Sequence, residues 1–187
     1  MITLFIILGV VVVLGIAAIA INNSIIRKRN TVDEALGHIE TQLQRRFDLI
    51  PNLVETVKQY AVHERNTLAE VTAARNAAGD ALRDHSIQGV QEATKQLDKA
   101  ALTIAAVAES YPQLQASTNF LELQEELTTT ENKVAFARQH YNQSAKDFNT
   151  GIQTIPGSWV AAGRFQPYSM FEVEEPAARK APKVSFD

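Results

Sequence analysis

Residues 1–21 read MITLFIILGVVVVLGIAAIAI, without one charged side chain, and Arg27-Lys28-Arg29 follows almost at once. A helix rises ~1.5 Å per residue, so ~20 apolar residues match the ~30 Å hydrocarbon core of a bilayer. Thr3 is the only clearly polar side chain in the run, and its hydroxyl can bond back to a helix carbonyl. The stretch reads as a transmembrane anchor over residues 1–26, with the lipid bilayer as its first partner. The chain is therefore expected to act at or near a membrane surface.

A cleaved signal peptide would need a basic leader, a short apolar core and a small-x-small cleavage site. Ala18 and Ala20 offer the last of these, but the chain starts Met-Ile-Thr and the apolar run is too long, which favours a retained anchor. Lys and Arg flanking a span mark its cytoplasmic side. Arg27, Lys28 and Arg29 all lie after the run. The expected topology is a single pass through the cell (inner) membrane, N-terminus outside and the rest of the chain in the cytoplasm.

The remaining residues, about 160, suffice for one domain with its own core. A formal net charge of −3 leaves no basic surplus beyond the juxtamembrane cluster, which argues against a nucleic-acid partner. Cysteine is absent, so disulfides, thiolate metal sites and cysteine nucleophiles are excluded. Between Asn30 and Thr150 stand only three Gly and two Pro, among many Ala, Leu, Glu, Gln, Lys and Arg. Those are strong helix formers, and no run alternates as a strand would. The body is read as all-α.

Apolar residues recur at spacings of three and four. Val32, Leu36, Ile39, Leu43, Phe47 and Ile50 form a first stripe, which the anchor enters without a breaker. That first helix would extend roughly 70 Å. Pro51, suited to a first helical turn, is expected to open a second helix bearing Val54, Val57, Ala61, Leu68 and Val71. Gly79-Asp80 and Asp84-His85-Ser86 mark a loop, with Ser86 as N-cap. A third helix carries Val90, Leu97, Ile104 and Tyr111 in heptads, and a fourth starts at Pro112 and carries Phe120, Leu123, Leu127, Val134, Tyr141, Ala145, Phe148 and Ile152. The predicted spans are about 30–49, 51–78, 87–110 and 112–150. One-sided stripes must bury against one another, so residues 27–150 should form an elongated antiparallel four-helix bundle. Residues 151–187 lose the periodicity and form an irregular tail with Trp159, Phe165, Tyr168 and Phe171. Such aromatics pack back onto a scaffold or into a partner. The last dozen residues, rich in Pro, Lys and Ala, are expected to be disordered.

The same stepping puts charges on apolar faces: Glu64 between Ala61 and Leu68, Glu131 between Leu127 and Val134, Arg138 between Val134 and Tyr141, and Arg46 beside Phe47. Unpaired buried charges cost several kcal/mol, so these residues are expected to pair, as a structural ion-pair set or a polar pocket within the bundle. Catalytic motifs are lacking. No His has Glu three positions before it, as bundle di-metal sites require, and His63-Glu64 meets Thr67 where a zinc helix would place its second His. Phosphate loops, dinucleotide fingerprints and the G-x-S-x-G elbow are absent too. No catalytic, metal or cofactor-binding residue is assigned, no cofactor is expected, and an enzyme is not expected.

The string QLQRRFDLIPNLVETVKQYAVHE, Gln42 to Glu64, resembles the signature segment of the LemA family. The likeness continues at Glu109-Ser110-Tyr111-Pro112-Gln113-Leu114, at Phe120-Leu121-Glu122-Leu123-Gln124 and from Glu131 through Ala135 to Asn142. It ends with Asn149, Pro156, Val160-Ala161, Phe165 and Phe171-Glu172. The resemblance implies a single-span bacterial membrane protein with a helical bundle and no assigned chemistry. It marks Arg46, Asp48, Pro51, Asn52, Leu53, Val54, Glu64, Glu109, Tyr111, Pro112, Glu131, Arg138, Tyr141 and Asn142 as recurring positions. Asp48 is read as a cap for the helix that Pro51 would start, and Asn52 and Asn142 as partners for backbone groups at turns or between helices.

A stiff rod fused to a span suits a membrane-anchored helical scaffold that self-assembles as a homo-oligomer. Trp159, Phe165 and Phe171 would then be contact points between copies. The span lacks a Gly-x-x-x-Gly pair, which speaks against a tight two-helix dimer in the bilayer. The alternative is an adaptor or regulator of a membrane-associated enzyme, with a membrane-protein partner and an open groove in the free protein.

Overall fold

The computed structural model describes residues 1–171, and all its regular structure is helical: α1 Ile2–Tyr60, α2 Arg65–Leu82, α3 Ile87–Glu109, α4 Pro112–Gln115, α5 Thr118–Gln153 and α6 Gly157–Ala161. The expected disorder of the last dozen residues lies outside the described part of the chain. α1 joins the apolar N-terminal run to the first core stripe in one helix of 59 residues, ~88 Å long at the usual rise. It is a candidate membrane-spanning helix: its most apolar window has a mean hydropathy of 3.2 and no residue buried in the protein.

The body is an up-down-up-down bundle built on α1. α2 runs back along it, with Arg75 at Phe47 and His85 at Glu40. α3 runs parallel to it, with Asp98 at Arg46 and the following Tyr111 at Glu64. α5 returns antiparallel along its length, from Glu126 at Arg45 to Gly151 at Lys28. The apolar stripes face one core. Val32, Ile39, Leu43 and Ile50 of α1 meet Leu68 and Val71 of α2, Val90 and Leu97 of α3, and Val134, Tyr141 and Phe148 of α5, all buried.

α2 and α3 flank only the distal part of α1, so the half nearer the apolar N-terminal run needs other cover. The tail supplies it. α5 ends at Gln153 rather than near Thr150, α6 folds against the start of the body, and the chain then runs extended back up the groove to Phe171. Ile25, Ala161 and Phe171 belong to the same core cluster. The tail up to Phe171 is thus an integral part of the bundle, which begins at Ile25. Gly157 allows the docking of α6: a Cβ there would stand 1.9 Å from the Gly151 carbonyl oxygen.

Three predicted boundaries move. α1 does not break at Pro51 but runs through it to Tyr60. The chain reverses instead at residues 61–64, where there is no Gly or Pro. Gly79-Asp80 is no loop but the last part of α2, and Gly79 leaves room for the Phe47 ring, whose Cε2 would lie 2.9 Å from an added Cβ. The helix expected from Pro112 onward is split into the single turn α4, which buries Leu114, and the long α5. Ser86 caps α3 as predicted, its hydroxyl accepting from the Gly89 amide at 3.0 Å.

Candidate functional site

The most elaborate polar construction is the seat of the tail on α5. Two aromatic–asparagine pairs, Tyr141-Asn142 and Phe148-Asn149, stand one heptad apart and so face the same way. Asn149 donates from Nδ2 to the Tyr168 carbonyl at 2.9 Å and accepts the Tyr168 amide on Oδ1 at 2.8 Å. Asn142 does the same to Phe171, at 3.0 and 2.8 Å. Each side-chain amide thus copies the two-bond exchange of an antiparallel strand pair. The registers agree: seven helical residues rise ~10.5 Å and three extended residues ~10 Å.

Aromatic contacts lock the same segment. Phe171 packs edge-on against Tyr141 with centroids 5.2 Å apart, and Phe148 takes Tyr168 at 5.2 Å and Phe165 at 6.0 Å. The Tyr141 hydroxyl donates to the Ser169 carbonyl at 3.0 Å, and that of Tyr168 to Asp33 of α1 at 2.6 Å. Burial, reinforced by the nearby Tyr168 and Asp33, pushes the Tyr141 phenol up to about 12. Burial and the Asp33 carboxylate raise Tyr168 as well, against the opposing pull of Arg29. Both phenols stay protonated donors at neutral pH, so the site reads backbone and aromatic shape.

Farther from the apolar N-terminal run, Arg46 is the one predicted charge that is buried. Its side chain is 3% exposed, with Nη1 2.5 Å from Asp98 Oδ1 and Nη2 4.0 Å from Glu131 Oε2. Glu131 itself is 65% exposed. Arg138 lies a heptad along, half-buried, with its guanidinium 5.5 Å from the centre of the Phe171 ring. Glu64 belongs to neither: it sits at the α1–α2 reversal, accepting from the Tyr111 hydroxyl and from Thr67, both at 3.2 Å. Burial first, then this carboxylate, raises the Tyr111 phenol. α1 rises roughly 21 Å from Arg46 to its end at Tyr60, and Glu64 lies past that end. The expected pairing of Arg46, Glu64, Glu131 and Arg138 therefore forms in part: Arg46 meets Glu131, while Glu64 stands apart with Tyr111 and Thr67. Among the described residues, no three His, Asp or Glu side chains converge where they could hold a metal ion.

The other predicted positions divide. Asp48 is exposed in mid-helix and accepts from Gln44 at 2.9 Å; it caps nothing, because no helix starts at Pro51. Pro51 and Asn52 are exposed on the same helix. Phe165 and Phe171 are spent on the bundle, while Trp159 stays 72% exposed on α6. Three residues were not singled out as sites: Asn149, whose partner in the motif is only the aromatic before it; Asp98, the partner of Arg46; and Arg75.

The sequence model described as LemA family matches residues 35–186. The chain belongs to the LemA family. It is also similar to Protein LemA of Metamycoplasma hominis, 25% identical over 139 residues, a match that takes in 74% of this chain and 63% of that protein's length. The chain thus matches somewhat less than two thirds of that relative. The LemA match takes in the Arg46 pair, the Glu64–Tyr111 contact and both asparagine clamps. In this LemA protein those features share one structural logic: each ties a later segment to α1, to α5 or to the α1–α2 reversal at a definite height.

Proposed function

We propose that this protein is a membrane-anchored helical scaffold whose copies assemble at the cytoplasmic face of the cell membrane. The observation that carries the reading is the unbroken course of α1 from its apolar run into the core. A span continuous with the body transmits the orientation of one to the other and holds the distal end of the bundle at a set height.

A surface for assembly lies where α1 meets α5. Phe136 is 74% exposed there, beside an open groove lined by His38, Gln42, Asn132 and Lys133. Gln42 Oε1, at the groove, is buried without a donor among the described residues. A second copy presenting an apolar side chain and an N–H would fill both needs. Enzymatic activity forms no part of the proposal. The cytoplasmic orientation rests on Arg27, Lys28 and Arg29 after the span.

The test is the mass of the full-length protein in mild detergent, against 20.6 kDa for one chain. The scaffold reading expects a defined multiple that Phe136→Asp reduces. A monomer unaffected by Phe136→Asp contradicts it and favours an adaptor that uses the same groove for a different membrane protein. Protease added to intact cells and to inverted vesicles tests the orientation: cleavage of the body in intact cells overturns it.

A further inference from the structure

The exposed apolar residues of the body are not evenly spread. Two of the largest, Trp159 at 72% and Ile155 at 67% exposure, fall within five residues of each other at the turn where α5 gives way to α6. The height of this turn is set by its contacts with α1. Lys28 faces Gly151, whose added Cβ would lie 3.2 Å from Nζ. Ile25 Cδ1 would lie 3.9 Å from a Cβ at Gly157. Arg164 Nη1 donates to Asn22 Oδ1 at 3.0 Å. The turn therefore lies level with residues 22–28, directly after the last apolar residue of the run, Ile21.

Counting along the helix converts this to depth. If residues 2–21 fill the hydrocarbon core, Asn22 to Ile25 lie ~2–6 Å beyond its edge. The headgroup layer of one leaflet is ~5–7 Å thick. α6 thus falls within the layer where tryptophan is enriched, because its ring is apolar and its N–H needs a wet partner. Arg164, bonded to Asn22, brings a positive charge to the same layer, and Arg27, Lys28 and Arg29 follow at ~9–12 Å from the core edge, just outside it, within reach of the field of anionic headgroups.

We propose that the Ile155–Trp159 turn is an interfacial membrane foot, which seats Trp159 and Ile155 at the headgroup–acyl boundary of the leaflet from which α1 emerges. The inference rests on the membrane-anchored reading above. The bundle would then meet the bilayer at two points, the span and the foot. That fixes which face of the rod points along the membrane and which is free for assembly.

Trp159 is the only tryptophan of the chain, so its fluorescence reports this site without labelling. The full-length protein is reconstituted into vesicles of phosphatidylcholine and phosphatidylglycerol, alone or with lipids brominated high on the acyl chain or near its end. The foot requires a blue-shifted emission, protection from acrylamide, and a greater loss of emission with the shallow bromines than with the deep ones. Red, acrylamide-accessible emission without bromine quenching, from protein that floats with carbonate-washed vesicles, overturns the foot and leaves the anchor standing. Blue-shifted emission that no bromolipid quenches also overturns it, because protein rather than lipid then covers the indole. Protein stripped from the vesicles by carbonate overturns the anchor itself.

Discussion

Arg75 donates from Nε to the carbonyl oxygen of Phe47 at 3.2 Å and stacks its guanidinium 3.7 Å from the centre of the Phe47 ring. That carbonyl is the one four residues before Pro51, which has no amide with which to reach it. A proline inside a helix costs ~3 kcal/mol, partly through this lost bond. Here a side chain from α2 takes the place of the missing N–H, and the helix runs on for two and a half more turns.

The substitution Pro51→Ala, by restoring the amide, is expected to stabilise the protein by up to about 3 kcal/mol. Arg75→Ala should destabilise it by about 1.5–3 kcal/mol, the range for hydrogen bonds to charged groups. The two should couple: in the Pro51→Ala background the loss of Arg75 should cost clearly less. Urea unfolding of the four proteins in detergent measures the cycle, and strict additivity would remove Arg75 from this role.

Asn142 and Asn149 hold the tail by paired bonds, so Leu at either position leaves a backbone donor and acceptor without partners. Each change should cost about 1–3 kcal/mol locally. The body should stay folded, while the amides of Tyr168 and Phe171 lose hydrogen-exchange protection and residues 164–170 become readily cleaved by added protease. Unchanged protection in the double variant would show that the aromatic contacts alone seat the tail.

Tyr141 sets an alkaline limit. Its phenol titrates at about 12 in the fold against an ordinary 10.0. Above pH 10.0 the unfolded chain releases this proton while the native one keeps it, so stability falls as pH rises toward 12. The contribution is fully present below pH 10.0. Tyr141→Phe should flatten this part of the stability–pH curve, which thermal unfolding across alkaline pH would reveal. An equal slope in both proteins would contradict it.

Arg46 depends on two carboxylates of unequal weight. Asp98→Asn removes the close partner and should cost on the order of 2 kcal/mol. Glu131→Gln, on an exposed partner at 4.0 Å, should cost well under 1 kcal/mol. The double variant should lose more than the sum, because the buried guanidinium then has neither carboxylate. Equal effects of the two single changes would contradict the assignment of Asp98 as the main counter-ion.

Periodicity carried most of the fold. The stripes through Val32, Leu43, Val90, Leu97, Val134, Tyr141 and Phe148 are buried as their spacing requires. What it misread were the reversals. Val57, Ala61, Leu68 and Val71 keep helical spacing across residues 61–64, because both arms of the hairpin face one core, so a turn without Gly or Pro leaves no break in phase. Pro51 gave the opposite error, since its remedy lies at Arg75, 24 positions away. Spacing also put Glu64, Glu131 and Arg138 each on the apolar face of its own helix. The reversal at Glu64 removes it from that face, and only Arg46 is truly buried. The asparagine clamp was half visible: an irregular segment seated on a helix has no periodicity of its own, but the repeat of aromatic then Asn at residues 141–142 and 148–149 marks its seat.

The continuity of α1 between span and body is best measured directly. Cysteine is absent from the chain, and an added Cβ at Gly15 or Gly37 meets nothing within 4 Å. Spin labels on the Gly15→Cys, Gly37→Cys protein in vesicles therefore bracket Arg27–Arg29 without disturbing packing. One narrow distance distribution centred near 33 Å, the rise of 22 helical residues, is the predicted result. A broad distribution, or one centred well short of that value, would reveal a hinge between membrane and bundle and contradict the scaffold.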